Sequence, residues 1–188
     1  MSGNVSGCQA ALGENEPRIG VLRVKCERLL KTRDCFGDPA VSFYAELKPL
    51  SKEFVPDALK VSGFDLDRLE KDGQAPEKVM KDFRRWVEQS AGDSKAVFVG
   101  FNGCYDWQFV NWYFESFAGG NPFGFGGIDI KSYFMGFSGE PWSKTTSSQL
   151  PKEFQPDIPQ THNALDDARA QASIFQKLLA KQRSINKW

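Results

Sequence analysis

No charge of either sign predominates in this chain: Lys plus Arg and Asp plus Glu both number 24. A protein that coats long duplex nucleic acid carries a basic surplus, so any nucleic-acid contact here is expected to be local, at a cleft. Closely spaced cysteines are missing too. Cys8, Cys26, Cys35 and Cys104 stand far apart with no CxxC pair, which argues against a zinc site and supplies no disulfide framework. No apolar run approaches the ~18 residues of a membrane span, and no signal-peptide stretch follows Met1. These absences give the expectation of a reduced, cytoplasmic chain. The glycine-rich GGNPFGFGG (119–127) lacks the GxGxxG and GK[ST] spacings, which argues against a nucleotide cradle. Histidine is almost absent, with His162 the single one in 188 residues.

What is present suits one globular domain. The chain is 40% apolar and 26% charged, ordinary values at a length that buries a sizeable core. Residues 1–17, rich in Gly, Ser and Asn, read as a poorly ordered leader, and residues 18–188 as the domain. IGVLRVKC (19–26) and VSFYAELKP (41–49) read as strands, with Val41, Phe43 and Ala45 alternating against Ser42, Tyr44 and Glu46. A loop punctuated by Pro56 and Gly63 leads to a helix over 76–89, with Val79, Met80, Phe83, Trp86 and Val87 on one face. KAVFVGFN (95–102) suits a buried strand, and an aromatic helix follows over 106–117. GIDIKSYF (127–134) reads as a short strand running into a helix. The final helix, from 163 to about 182, repeats Leu165, Ala168, Ala172, Phe175 and Leu179. Strands followed by strand–helix alternation imply an α/β domain.

Two stretches carry chemistry. In THNALDDARAQASIF (161–175), His162 precedes the last helix and Asp167 lies about one turn inside it, so both can face one cleft. Taken alone, the pair also fits a helix cap and a carboxylate favoured by the helix dipole. In VFVGFNGCYDWQFVN (97–111), a buried strand ends at Asn102 and Asp106 follows, where α/β proteins build their sites.

In this order and with these neighbours, the two stretches resemble the DEDDh exonucleases. These form the DnaQ-like group, with proofreading subunits, RNase T and oligoribonuclease, within the ribonuclease-H-like fold. Asn102, Tyr105 and Asp106 match the second family motif, and His162 with Asp167 matches the third. The resemblance runs from about Val41 to Leu179 and includes FYAELKP, VSG at 61–63 and DIK at 129–131. It implies a mixed β-sheet flanked by helices and metal-dependent hydrolysis of single-stranded 3′ ends of RNA or DNA. Asp106 and Asp167 would be ligands of Mg²⁺ or Mn²⁺, and His162 the general base. Ser62 and Gly63, with Asn102, would receive the terminal nucleotide. Several relatives dimerise, so a homodimer is allowed. Phosphodiester hydrolysis needs an activated water and neutralisation of growing negative charge, which two divalent ions ~3.5–4 Å apart supply. Asp129 and Asp166 are expected not to be ligands, since Asp166 sits ~100° around the helix from Asp167.

The first family motif, D-x-E on the opening strand, has no counterpart before FYAELKP. Glu14-Asn15-Glu16 has the spacing and Gly20 follows, but GCQAALG makes a poor central strand. IGVLRVKC reads instead as the second family strand, with the first lost or replaced, as in a chain truncated at its start. The family's missing pair contributes to binding both ions, so weak metal binding and slow hydrolysis are expected. Two other readings fit the same residues: an inactive relative that binds single-stranded ends, and a structural or partner-binding module.

Overall fold

Alternation of apolar and polar side chains makes the first ladder. The computed structural model describes residues 23–26, 42–51, 53, 64–157 and 164–186. In it β1 (Arg23–Cys26) pairs antiparallel with β2 (Phe43–Glu46), Arg23 opposite Glu46 and Cys26 opposite Phe43. Ala45 is buried and Tyr44 exposed, the half-buried pattern expected of this stretch. The leader assigned to residues 1–17 lies outside the described residues.

A short helix, α1 (Leu66–Asp72), occupies part of the stretch that reads as loop in the sequence. Asp65 starts it by accepting the Arg68 N–H at 2.9 Å, and only Leu69 is buried, too little for a periodic signal. The next helix, α2 (Pro76–Ala91), follows the expected stripe: Val79, Met80, Phe83 and Val87 are buried and Trp86 half-buried. Proline in its first turn gives up an N–H that had no intrahelical partner. Phe83 anchors the cluster beneath, with ring centroids 4.9 Å from Phe43 and 5.1 Å from Phe114.

The second ladder is parallel. β3 (Phe98–Gly100) pairs with β4 (Gly127–Asp129), Phe98 beside Gly127 and Gly100 beside Asp129. β3 is shorter than the run at 95–102: among the described residues it pairs with the three residues of β4. Three helices remain: α3 (Gly103–Phe117), α4 (Ile130–Ser138) and α5 (Ala164–Asn186). Both strand orientations of a mixed sheet are therefore present, but among the described residues no strand joins the two pairs.

β3 and β4 separate two apolar clusters. Phe98 faces the one built by α2 and α3, with Met80, Phe83, Tyr113, Phe114 and Phe123. Val99, Phe101 and Ile128 face the other, built by α4 and α5, with Ile130, Phe134, Ile174, Phe175 and Leu178. On α5 the most deeply buried row is Ala170, Ile174 and Leu178, with Phe175 beside it. Leu165, Ala168 and Ala172 are only half-buried, so the apolar face lies to one side of the row read from the sequence. In the first cluster the Tyr113 hydroxyl is buried without a hydrogen-bond partner among the described residues.

Gly127 is where the ladder tolerates no side chain. A Cβ there would stand 2.8 Å from both the carbonyl oxygen and Cδ1 of Phe98. Backbone cannot yield as a flexible side-chain end can, so Gly127→Ala is expected to cost ~1–3 kcal/mol. A urea midpoint equal to wild type would contradict this.

Candidate active site

Parallel strands end together, and the C-terminal edge of β3 and β4 collects the polar groups. The turn Phe101–Asn102–Gly103 leads from β3 into α3. Asn102 stands there in the left-handed region, φ 59°, alone among the described non-glycine residues. Asparagine accepts that conformation more readily than most residues. Its side chain is exposed and makes no capping bond, so the amide is free to meet a ligand. On either side of it the turn is held by side chains. Phe101 N–H donates to Gln171 Oε1 at 3.0 Å, and Gly103 N–H donates to Asp129 Oδ2 at 2.6 Å.

Asp129 does two jobs with its two oxygens. Its Oδ1 caps α4 by accepting the Ser132 N–H at 2.7 Å and the Ser132 hydroxyl at 2.6 Å. Its Oδ2 serves the start of α3. Asp166 is held by Arg169, 3.7 Å away on the same helix. Both acids are thus committed to structural partners.

Asp106 and Asp167 are placed differently. Each is the fourth residue of its helix, α3 or α5, within the first turn. These helices cover opposite faces of the parallel pair. Asp167 lies one turn before Gln171 on the same face of α5, since i and i+4 are neighbours on a helix. Gln171 meets the strand edge at Phe101, while Ile174 and Leu178 pack lower down with Val99 and Ile128. Asp167 thus lies in the first turn of α5, one turn before the residue that meets the end of β3, and Asp106 lies in the first turn of α3, which starts directly after Asn102. His162, Ser62, Gly63, Glu14 and Glu16 lie outside the described residues.

Burial bears on each of the two acids in its own way. Desolvation raises the Asp106 carboxyl above the ordinary aspartate range, and a bond from its own backbone N–H only partly opposes this. The residue is reachable by water, yet enough protein surrounds it to weaken solvation of the charge. A carboxyl raised on folding gives stability that is intact below its unfolded pKa and is lost as pH rises through the folded one. Asp106→Asn is therefore expected to leave the urea midpoint at pH 7 unchanged or higher, with any gain vanishing in acid. A clear loss of stability at pH 7 would contradict this. In Asp167, Oδ1 is buried with no hydrogen-bond partner among the described residues. A carboxylate oxygen left this way is a donor suited to a hard divalent cation, which would relieve its isolation. The two acids fit part of such a ligand set. Among the described residues no group of three or more His, Cys, Asp or Glu stands together.

Motif reading misses Gln171 and the double role of Asp129. Asp129 carries a signal, a capping residue three positions before Ser132. Gln171 carries only its i+4 spacing from Asp167.

Helices on both faces of parallel strands, with carboxylates at their C-terminal edge, define an α/β protein of the ribonuclease-H-like class. The exonuclease family model of the RNase T type matches residues 19–175, a stretch that leaves Glu14 and Glu16 outside it. The chain is also 41% identical over 140 residues to the 3′-5′ DNA exonuclease Cap18 of Escherichia coli, covering 74% of this chain and 75% of the relative. This chain belongs to the DnaQ-like (DEDDh) exonuclease family, whose members are 3′-5′ exonucleases that normally use divalent metals. No helix among the described residues is long and apolar enough to cross a membrane.

Proposed function

We propose that the chain acts on single-stranded 3′ ends, DNA first, through a Mg²⁺ or Mn²⁺ centre held by Asp106 and Asp167. The observation that supports this reading is the Oδ1 of Asp167, buried with no hydrogen-bond partner among the described residues. The DNA preference rests on the activity named for the E. coli relative. Divalent cations supply the charge that offsets negative charge growing on the phosphate oxygens. Asp106 and Asp167 would hold them, and His162 would take the proton of the attacking water, a task suited to an imidazole with pKa near neutrality. Asn102, with Ser62 and Gly63, would receive the terminal nucleotide. A cytoplasmic location goes with this reading, and a homodimer is checked by sedimentation.

The test is digestion of 5′-labelled single-stranded DNA and RNA with Mg²⁺, with Mn²⁺ and with chelator. Slow, stepwise shortening from the 3′ end that chelator abolishes is the expected result. Shortening that ignores chelator would sink the proposal. One observation favours a binding-only reading: among the described residues no three His, Cys, Asp or Glu are grouped so as to hold a metal. Metal-independent retention of 3′ ends without cleavage would select it.

A further inference from the structure

Gln171 belongs to no motif read from the sequence, yet it makes the side-chain bond that joins α5 to the turn where Asn102 stands. Its Oε1 accepts the Phe101 N–H at 3.0 Å across 70 positions of chain. A strand-end amide is ordinarily satisfied by a neighbouring strand or by water. Here the acceptor comes from a helix in another layer, on the same helical face as Asp167 and one turn after it. A bond that fixes Gln171 therefore also fixes the rotation of α5 at Asp167. Two residues along, Asp129 Oδ2 holds the Gly103 N–H at 2.6 Å, so the turn that launches Asp106 is fastened on both sides of Asn102.

We propose that Gln171 is a positioning residue, registering the helix that bears Asp167 against the turn that launches Asp106 so that both carboxylates address one cleft. The role rests on the reading of those two acids as metal ligands. A bond serving stability alone would change the unfolding midpoint and nothing else. A positioning bond also sets metal affinity in the folded protein, and partners behind metal ligands typically contribute 10–100-fold.

The test uses the full chain and three variants: Gln171→Met, which keeps length and removes the acceptor, Gln171→Glu, which keeps an acceptor, and Asp167→Asn. Free Mn²⁺ is titrated by electron paramagnetic resonance, and exchange of the Phe101 amide is followed by NMR without metal. Gln171→Met is expected to speed Phe101 exchange and weaken Mn²⁺ binding about tenfold, under conditions where the protein stays folded. Gln171→Glu is expected to keep the amide protected, with its proton shift following titration of the introduced carboxyl. Wild-type Mn²⁺ affinity or wild-type Phe101 exchange in folded Gln171→Met overturns the role. Should that variant fail to fold, a Phe101 shift indifferent to the carboxyl in Gln171→Glu overturns it instead. Unchanged Mn²⁺ affinity in Asp167→Asn would bring down the ligand reading, and the positioning role with it. Lost affinity there, with Gln171→Met unaffected, would bring down the positioning role alone.

Discussion

Asp167→Asn is expected to lower metal-dependent hydrolysis at least ~10²-fold while leaving the fold as stable as before. A metal acting as Lewis acid contributes several kcal/mol to the transition state, and each ~1.4 kcal/mol is a factor of ten. The buried oxygen that Asp167 presents has no partner among the described residues to lose, which is unusual for a carboxylate in a folded chain. A neutral amide of the same shape keeps the packing and gives up the charge that a cation needs. Initial rates with Mn²⁺ and urea midpoints check both halves of the prediction. An unchanged rate would remove Asp167 from the site. An unfolding free energy lowered by more than ~1 kcal/mol would mean the carboxylate has a structural partner after all.

The second large effect concerns the chain as written. On single-stranded DNA it is expected to run roughly 10²–10⁴-fold slower than the E. coli relative under matched conditions, because the first family motif contributes acids that this sequence lacks. His162→Ala is expected to remove a further ~10²–10⁴-fold where hydrolysis is measurable, the usual contribution of a general base. Rapid laddering from the 3′ end, abolished by His162→Ala, would mean that the missing acids are supplied elsewhere. Glu14→Ala and Glu16→Ala would then be the variants to make. Equal rates in His162→Ala and the parent would remove the histidine from the mechanism.

Part of this architecture is legible in the amino-acid pattern itself. The stripe of α2 can be read because five apolar positions share one face against a charged back. The aromatic helix α3 cannot be bounded in the same way, since Trp107, Val110, Trp112, Tyr113 and Phe114 crowd several of its sides. It begins at Gly103, which puts Asp106 one turn inside rather than at its start. The core row of α5 is displaced from the expected one because half-buried alanines score like buried ones in a periodicity argument. Asp106 and Asp167 are visible through motif spacing. The bonds that orient them are not, because Gln171 meets Phe101 and Asp129 meets Gly103 across long stretches of chain that no local pattern encodes.

The isolated hydroxyl of Tyr113 gives the helix bearing Asp106 its own optical alarm. Burial pushes that phenol up to about 12, whereas an unfolded tyrosine ionises near ~10. Between those two values the unfolded chain sheds a proton that the folded one keeps, so alkali favours unfolding across that window. Tyr44 and Tyr105 are exposed and ionise without unfolding, so the signal is read in a chain with Tyr44, Tyr105 and Tyr133 changed to Phe. Phenolate absorbance near ~10 in that chain would mean that the packing around α3 has opened, well before any substrate assay is attempted.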